Sequence, residues 1–528
     1  MTADEFDVIV IGAGVTGLYS LYRLRELGLS VQVYEHGSGV GGTWYWNRYP
    51  GARFDSESYT YAFSFSKELL EEWNWSEQYA AQPETERYLN YVTDRFDLRR
   101  HIRFNSRVTS AAFDQADDRW TVQVANGPTA RARFVITAVG GLSARYVPAF
   151  EGIDSFEGEW CHTGKWPKGG IDLGGKRVAV VGTGATAVQV TPEIAKRAAQ
   201  LLIFQRTPNY CVPLRNRPIE PETMASIKAR YDQIFKMCDA TGNSFMHLPD
   251  PRSAMDVSPS ERHAQFERLW AEPGFKKFLS NFSDVMKPGP ANQEYAEFVR
   301  GKIRERVGDP ILAEKLVPTD HPFGSKRVPC ESGYYEVFEQ DNVSLVDVRE
   351  DPILHITPRG LKTAKREYPV DVLVFATGYD YVTGALDQMD IHGLGGLTLK
   401  QKYSEGVRSY LGIQSVGFPN FFTINAVSTG NFVRGLEPQV DWLGECICYV
   451  RSRGYRRISP TLEAEEGWTQ HVLEAGANSI LTKTSSWFVG ANIPGKPRFL
   501  LITPDTAPVM REKRAAIAAN GYEGFELQ

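Results

Sequence analysis

Two short glycine-rich segments carry the clearest chemical signal in this chain of 528 residues. Segment 12–17 reads Gly-Ala-Gly-Val-Thr-Gly after an apolar run, and segment 182–187 reads Gly-Thr-Gly-Ala-Thr-Ala after another. In such segments the first glycine permits a tight turn, the second lets the backbone approach a pyrophosphate, and a small third residue lets the next helix pack closely. Free N–H groups at the start of that helix attract phosphate oxygens. Each segment therefore predicts one dinucleotide site.

The residue that ends the second strand of each unit distinguishes the two sites. Glu35 lies 23 residues after Gly12 and predicts hydrogen bonds to a ribose hydroxyl. Arg206 lies 24 residues after Gly182, and a guanidinium suits a 2′-phosphate through paired, charge-assisted hydrogen bonds. We therefore interpret the first site as an FAD site and the second as an NADPH site. A solvated surface arginine is the alternative interpretation of Arg206.

Two similar apolar segments indicate how the units are connected. Residues 132–140 resemble residues 370–378, and each segment predicts a buried strand that ends in glycine late in its unit. The sequence from 222 to 307 is charged and has helical periodicity. We therefore predict an α/β protein with two Rossmann-like (doubly wound, three-layer) dinucleotide-binding domains, the NADPH domain inserted in the FAD domain, plus a helical insertion. The predicted bounds are 1–145 and 381–528 for the FAD domain, 146–221 and 333–380 for the NADPH domain, and 222–332 for the helical insertion.

Composition argues against several classes of function. The formal net charge of −5 does not favour a nucleic-acid partner, and no apolar run approaches the roughly 20 residues that span a bilayer. The six cysteines show no Cys-x-x-Cys pair and no metal-ligand spacing, so we expect neither a metal nor a redox-active disulfide. The acidic N-terminus is unlike a secretory signal. We expect a cytoplasmic protein that is a monomer or a small homo-oligomer.

The segment between the two units is the most specific for reaction type. It reads Phe156-Glu-Gly-Glu-Trp-Cys-His162-Thr-Gly-Lys-Trp166-Pro167. This resembles the Phe-x-Gly-x-x-x-His-x-x-x-Trp-(Pro/Asp) fingerprint of the flavin-dependent Baeyer–Villiger monooxygenases, the type I family that uses FAD and NADPH. In that family the histidine lies at the connection between the two domains. We therefore expect a structural role for His162, with proton transfer as the alternative.

The resemblance covers nearly the whole chain. Segment 41–51 with Asp55 is similar to the family's flavin-side loop, Lys326-Arg327 to its active-arginine segment, residues 486–495 to its NADPH-side loop, and 522–525 to its C-terminal ending. The resemblance implies that reduced flavin and dioxygen form a peroxyflavin, whose anion attacks a ketone carbonyl. Arg327 would supply a permanent positive charge to the peroxide and the oxyanion, and Asp55 would orient it. An ion pair that merely bridges domains is the alternative.

The motifs and the resemblance together predict the cofactor-binding residues. FAD is expected to be non-covalent, because the sequence shows no recognisable attachment pattern. The residues expected to bind FAD or NADPH are Gly12, Gly14, Val15, Thr16, Gly17, Glu35, Gly42, Thr43, Trp44, Trp46, Asp55, Tyr61, Val108, Gly182, Thr183, Gly184, Ala185, Thr186, Gln189, Arg206, Thr207, Lys326 and Trp487.

The predicted reaction converts a small ketone to an ester or lactone, with a sulfide as a further substrate class. Two alternatives stay open: an N- or S-oxygenating flavin monooxygenase, which Trp166-Pro167 and Lys326-Arg327 disfavour, and a flavin NADPH oxidase or redox sensor. The oxidase or redox-sensor interpretation rests on the departure from the family pattern at 425–431, and a second departure occurs at 504–506. We expect both of these loops to face the flavin or the substrate.

Overall fold

The computed structural model describes residues 4–424 and 430–528. Strands and helices are numbered in chain order. The strands are β1 (Asp4–Ile11), β2 (Val31–Tyr34), β3 (Ile102–Arg103), β4 (Val108–Asp114), β5 (Arg119–Val124), β6 (Ala130–Thr137), β7 (Glu159–His162), β8 (Arg177–Val181), β9 (Gln200–Gln205), β10 (Val212–Pro213), β11 (Cys330–Glu331), β12 (Val343–Asp347), β13 (Ile353–Thr357), β14 (Gly360–Thr363), β15 (Glu367–Pro369), β16 (Val372–Phe375), β17 (Asp390–His392), β18 (Phe421–Thr423), β19 (Ile458–Pro460) and β20 (Phe525–Leu527).

The α-helices connect these strands, and the three longest ones after residue 430 lie near the C-terminal end of the chain. They are α1 (Val15–Glu26), α2 (Thr43–Trp46), α3 (Lys67–Glu72), α4 (Gln82–Arg95), α5 (Ala185–Ala195), α6 (Pro221–Lys228), α7 (Tyr231–Ala240), α8 (Pro259–Trp270), α9 (Lys276–Leu279), α10 (Pro290–Arg304), α11 (Pro310–Leu316), α12 (Thr383–Leu386), α13 (Leu399–Lys402), α14 (Phe432–Ser452), α15 (Leu462–Ala477) and α16 (Ala507–Ala519). None of the helices in the described residues is long and apolar enough to cross a membrane.

The first sheet combines early and late parts of the chain. Its order is β17-β4-β5-β6-β1-β2-β3, and β18 also pairs with β6. Strands β1, β2, β3, β6 and β18 run parallel to their partners in this group, and β5 runs antiparallel to β4 and β6. The apolar residues 8–11 of β1 are buried, as a parallel strand covered on both faces requires. Helix α1 begins directly after the turn that follows β1.

The second sheet is fully parallel and lies in the middle of the chain. Its order is β12-β9-β8-β16-β7. A three-stranded antiparallel sheet, β13-β14-β15, precedes β16. Two separate units are thus present, one with a mainly parallel sheet and one with a fully parallel sheet, as the α/β prediction requires.

The helical region after β10 divides between the two units. The apolar residues 224, 227, 231, 234 and 238 follow helical spacing in the sequence, and they fall on α6 and α7 with a break at 229–230. These side chains join the core of the first unit, whereas apolar side chains of α8 and α10 join the core of the second. Residues 222–316 therefore pack against both units.

Candidate active site

The first glycine turn forms a closed cradle. Helix α1 begins after Gly14 without a side-chain cap, so its first N–H groups are free to bind phosphate oxygens. Gly42 has φ +53, and a Cβ there would lie 2.8 Å from the Gly14 Cα. The flavin-side loop therefore lies directly over the turn. Trp44 Nε1 donates to the Tyr61 hydroxyl at 2.9 Å and fixes this cover.

Glu35 is held at the end of β2 by backbone donors. The Ala13 N–H donates to Oε2 at 2.7 Å, and the Gly37 N–H donates to Oε1 at 2.6 Å. Burial raises the pKa of Glu35, and the two N–H donors offset part of that effect. Each carboxyl oxygen keeps a lone pair for a ribose hydroxyl. The geometry fits a dinucleotide whose ribose carries free hydroxyls.

The second glycine turn has the same start but is open. A Cβ on Gly182 would lie 2.5 Å from the Ala376 carbonyl oxygen, so this turn needs glycine, whereas a Cβ on Gly184 would meet nothing within 4 Å. Helix α5 also begins without a side-chain cap. Thr183 Oγ1 donates to the Thr207 carbonyl at 2.8 Å and joins the turn to the end of β9. The free helix start and the open surface fit a second pyrophosphate.

Two cations stand beside this second turn. Arg206 is exposed, and Lys326 is half-buried. Burial lowers the pKa of Lys326, Asp320 raises it in part, and the nearby Arg206 lowers it further. Mutual repulsion of two cations is relieved by an anion between them, so the pair fits a 2′-phosphate.

One cavity of about 1770 Å³ joins the two cradles. Every predicted site residue lines this cavity except Gly17. A Cβ on Gly17 would lie 1.8 Å from the Gly12 carbonyl oxygen, so this glycine serves the close contact of α1 with the turn. The fold therefore places residues 35, 206, 327 and 487, which are far apart in the sequence, around one cavity.

Asp55 and Arg327 form an ion pair in the wall of the cavity. Arg327 Nη1 lies 2.7 Å from Asp55 Oδ2, and the Cys330 N–H donates to the same oxygen at 3.1 Å. The Asp55 side chain is 1% exposed, but the Arg327 side chain is 34% exposed. Burial alone would lower the pKa of Arg327, but the Asp55 charge and its contact more than offset this, so the pKa of Arg327 is raised. A permanent cation thus faces the cavity.

Several cavity residues carried no signal in the sequence. Apolar side chains form one wall beside Arg327, and the Arg327 Cζ lies 5.9 Å from the ring centroid of Phe275. Asn209 Nδ2 donates to the Arg327 carbonyl at 2.9 Å and holds its backbone. Apolar residues that line the cavity include Phe245, Phe275, Phe278, Leu279 and Met286 from the helical region and Phe432 from the start of α14. These residues lie on helices and loops that carry no recognisable motif. The sequence therefore shows that they are apolar but does not indicate that they line a cavity.

The fingerprint segment lies at the connection between the units. His162 is the last residue of β7, where it pairs with Phe375 of β16, and its Nδ1 accepts a hydrogen bond from the Gly164 N–H at 2.9 Å. Burial lowers the pKa of His162 to about 4. Its ring meets the Tyr379 ring edge-to-face at 5.4 Å. His162 and Trp166 are buried outside the cavity lining, so this geometry supports a structural role.

The NADPH-side loop is fastened to the segment that follows β16. Trp487 lines the cavity and meets Tyr381 at a centroid distance of 4.5 Å. Asn492 Nδ2 donates to the Tyr379 carbonyl at 2.8 Å, and Lys496 forms a salt bridge with Asp380. The loop therefore closes one end of the cavity.

The two departures from the family pattern differ in outcome. Residues 425–429 lie outside the described residues, and the adjoining Gly430 and Asn431 line the cavity. Residues 504–506 do not line it, so the expectation that they face the flavin or the substrate was wrong. Asp505 instead contacts His471 at 2.9 Å and Lys513 at 2.6 Å. These two partners hold its carboxylate against α15 and α16.

Comparison with known proteins agrees with this geometry. A family model described as flavin-binding monooxygenase-like matches residues 6–236. The chain is 45% identical over 542 residues to the 2-oxo-Delta(3)-4,5,5-trimethylcyclopentenylacetyl-CoA monooxygenase of Pseudomonas putida, with 99% of both chains covered. It is 42% identical over 534 residues to the acetone monooxygenase (methyl acetate-forming) of Gordonia sp. strain TY-5, with 100% of both covered. The crystal structure of OTEMO in complex with FAD and NADP matches with a TM-score of 0.96 at 44% identity, covering 100% of both chains.

Proposed function

The chain belongs to the family of flavin-dependent Baeyer–Villiger monooxygenases, and from that premise we propose that it inserts one oxygen atom of dioxygen beside the carbonyl of a ketone. The product is an ester or a lactone, and NADPH is the reductant. The observation that carries this proposal is the Asp55–Arg327 ion pair in the wall of a cavity that joins two dinucleotide cradles.

FAD belongs in the first cradle and NADPH in the second. The uncapped starts of α1 and α5 offer N–H groups to the two pyrophosphates. Glu35 suits the ribose of FAD, and Arg206 with Lys326 suits the 2′-phosphate of NADPH. When bound, FAD that NADPH has reduced supplies the activation of dioxygen. We infer further that the NADPH domain is an insertion in the FAD domain and that the protein is a cytoplasmic monomer or small homo-oligomer.

Arg327 and Asp55 provide the electrostatic part of the reaction. Negative charge develops on the carbonyl oxygen of a ketone when a nucleophile attacks it, and a preorganised cation stabilises that charge. Arg327 supplies a cation that does not lose its proton, because a guanidinium is too weak an acid to ionise near neutral pH and the Asp55 charge raises the pKa of Arg327 further. Asp55, whose other partners include the Cys330 N–H, holds the guanidinium at the cavity.

The apolar wall favours an uncharged ketone. The Phe275 ring lies against the Arg327 guanidinium, and Phe278 also lines the cavity. Low local polarity strengthens the interaction of Arg327 with the developing charge. A sulfide of similar shape fits the same wall and is a further substrate class. An oxygenation restricted to nitrogen or sulfur has less support, because it does not need a fixed cation at a carbonyl oxygen.

Product analysis tests the proposal directly. The purified protein is given NADPH and a panel of one cyclic ketone, one sulfide and one tertiary amine under ¹⁸O₂, and the products are separated and weighed by mass spectrometry. We expect a lactone from the ketone with one ¹⁸O atom. Hydrogen peroxide alone would indicate an NADPH oxidase, and an N-oxide or sulfoxide without any lactone would indicate an N- or S-oxygenating enzyme.

A further inference from the structure

Gln189 lies on α5, one turn after the second glycine segment, and it lines the cavity. Its amide group, however, is engaged with the flavin-side loop of the other unit. Nε2 donates to the Arg53 carbonyl at 2.9 Å and lies 3.5 Å from Asp55 Oδ1. Oε1 accepts a hydrogen bond from the Tyr49 hydroxyl at 2.7 Å. Both ends of the amide therefore contact residues 49–55.

The chemistry of its partners fixes which way this amide points. The Arg53 carbonyl can only accept a hydrogen bond, so the amide nitrogen must face it. Tyr49 is buried, and burial raises the pKa of its hydroxyl well above the ordinary value, so the hydroxyl stays protonated and can donate. The donated proton favours the amide oxygen on that side. With this orientation, the amide N–H groups face the Asp55 carboxylate.

The backbone approach of the loop to α5 is unusually close. Gly51 has φ +83, and a Cβ there would lie 2.5 Å from the Gln189 carbonyl oxygen. Only glycine allows both this conformation and this contact. On its other side the loop is held by Arg53, whose Nη1 pairs with Glu77 at 3.0 Å and donates to the Tyr79 carbonyl at 3.1 Å. The loop thus has a fixed position between the two units.

The two carboxylate oxygens of Asp55 have different partners. Oδ2 receives Arg327 and the Cys330 N–H, whereas Oδ1 faces Gln189. A carboxylate held at only one oxygen can rotate about its Cβ–Cγ bond and carry its cation with it. We propose that Gln189, oriented by Tyr49, is a positioning residue for Asp55 and through it for Arg327. This inference rests on the proposed function, because it concerns the placement of the cation that the oxygenation uses.

Helix α5 connects the site proposed for NADPH with the ion pair proposed for oxygenation. The start of α5 offers its N–H groups to the NADPH pyrophosphate, and Gln189 one turn later touches the loop that holds Asp55. A displacement of α5 would therefore change the contact at Asp55 Oδ1. Gln189 is then the link between the second unit and the catalytic cation, and the alternative role, a contact with the nicotinamide, predicts a different set of defects.

Four variants and a control separate these roles. Gln189→Leu removes both hydrogen-bonding ends, Tyr49→Phe removes only the donor that orients the amide, and the double variant combines them. Gln189→Glu keeps an acceptor for Tyr49 but places a second negative charge beside Asp55. Glu193→Gln, one turn further along α5, is the matched control because its side chain forms a surface salt bridge with Lys196.

We measure the lactone formed per NADPH consumed and, independently, the dissociation constant of NADP⁺ from the change in flavin absorbance. Gln189→Leu and Tyr49→Phe should each lower the lactone ratio about three- to tenfold, the range of one lost hydrogen bond of ordinary strength, with hydrogen peroxide replacing the lactone. The double variant should be no worse than Gln189→Leu, because both changes break one chain of contacts. Gln189→Glu should be the most defective, and Glu193→Gln should match the parent.

The NADP⁺ titration distinguishes positioning from cofactor binding. If Gln189 acts through Asp55, all variants should bind NADP⁺ within about twofold of the parent, because the hydrogen bonds that they remove join protein groups to each other. If Gln189→Leu weakens NADP⁺ binding and slows flavin reduction while Tyr49→Phe behaves like the parent, Gln189 is a nicotinamide contact and the proposal is wrong. Parent-like lactone ratios in both single variants would also overturn it. A parent enzyme that forms no lactone would instead refute the proposed function.

Discussion

The two glycine turns share a backbone plan but differ in what covers them. At the first turn, Gly42 approaches Gly14 so closely that a Cβ on Gly42 would lie 2.8 Å from the Gly14 Cα. At the second turn, a Cβ on Gly184 would meet nothing within 4 Å. The residues expected to contact the ribose or its phosphate show the same difference in exposure, because Glu35 is buried and Arg206 is exposed. A covered cradle suits a cofactor that stays, and an open cradle suits one that is exchanged in every turnover.

The third residue of each motif extends this comparison to helix packing. Gly17 has no room for a Cβ, which would lie 1.8 Å from the Gly12 carbonyl oxygen. Ala187 occupies the matching place in the second unit and is fully buried there with its methyl group. Helix α1 therefore lies closer to its turn than α5 does. Closer packing and a closed cover occur together in the first unit.

The largest effect is expected where the two units meet, at Arg327. Arg327→Ala should fold, bind FAD and be reduced by NADPH, because neither cradle contains this side chain. Ester formation should fall about a hundred- to a thousandfold, the cost of losing one preorganised donor at a developing oxyanion. Rapid-mixing absorbance follows flavin reduction, and chromatography follows the ester. Ester formation within about tenfold of the parent, a barrier change of about 1.4 kcal/mol, would contradict the role of Arg327. Asp55→Ala should show a weaker form of the same defect.

The next effect concerns the closed cradle. Gly17→Ala should lower the stability of the FAD unit by about 1–3 kcal/mol or more, because the methyl group has no space beside the Gly12 carbonyl. The purified variant should carry much less FAD. The matched change in the other unit, Ala187→Gly, should cost about 1–2 kcal/mol, from the backbone freedom of glycine and the lost buried methyl group, and FAD content should remain at the parent level. For both variants, thermal unfolding measures the stability, and the ratio of visible to ultraviolet absorbance measures the FAD content. If the two variants lost the same stability and the same amount of FAD, the third residues of the two motifs would not differ in their packing role.

The open cradle should depend on its exposed cation. Arg206→Ala should raise the apparent Michaelis constant for NADPH about ten- to a hundredfold, because a charge-assisted contact contributes about 1.5–3 kcal/mol. The constant for NADH should change little, since NADH lacks the 2′-phosphate. Arg197→Ala, an exposed arginine just beyond the far end of α5, is the control. An enzyme that uses both nicotinamides equally well before any substitution would remove the basis for assigning the phosphate to Arg206.

The smallest effect concerns the connection between the units, where burial lowers the pKa of His162 to about 4. An unfolded histidine has a pKa of about 6.5, so between these values the unfolded chain binds a proton that the folded chain does not. Lowering the pH through this window therefore favours unfolding, and at one unit below the unfolded pKa the loss is about 1.4 kcal/mol. His162→Asn should flatten the dependence of the melting temperature on pH between 4.5 and 6.5. The exposed His263→Asn should leave that dependence as in the parent, and an unchanged His162→Asn profile would argue against a neutral buried imidazole.

Local features of the fold were predictable from sequence, and contacts across the chain were not. The turns, their helices and the residues that read the ribose depend on residues close together in sequence, and the cavity contains them. The Asp55–Arg327 pair came from the resemblance, since 272 residues separate its members. The hydrogen bonds of Gln189 with Tyr49 and Arg53 had no local sign, because the loop approaches α5 only through tertiary packing at Gly51.

One expectation was confirmed with a difference in detail, and another failed. The apolar residues at helical spacing between 224 and 238 do face the core, but α6 ends at Lys228 and α7 begins at Tyr231, so the spacing continues across a break. Residues 504–506 were expected to face the flavin or the substrate. The carboxylate of Asp505 instead found His471 and Lys513, and a salt bridge with two partners holds that turn away from the cavity.

The most direct test of the account measures one ratio, ester formed per NADPH consumed, in Arg206→Ala and Arg327→Ala side by side with the parent. If the second cradle only supplies NADPH and Arg327 serves the oxygenation, Arg206→Ala should need more NADPH but keep the ratio of the parent. Arg327→Ala should consume NADPH and give hydrogen peroxide with a ratio near zero. The account would be contradicted if the ratio fell equally in both variants, or if Arg327→Ala kept the ratio of the parent. In either case, NADPH binding by the open cradle and oxygenation at Arg327 would not be separate functions.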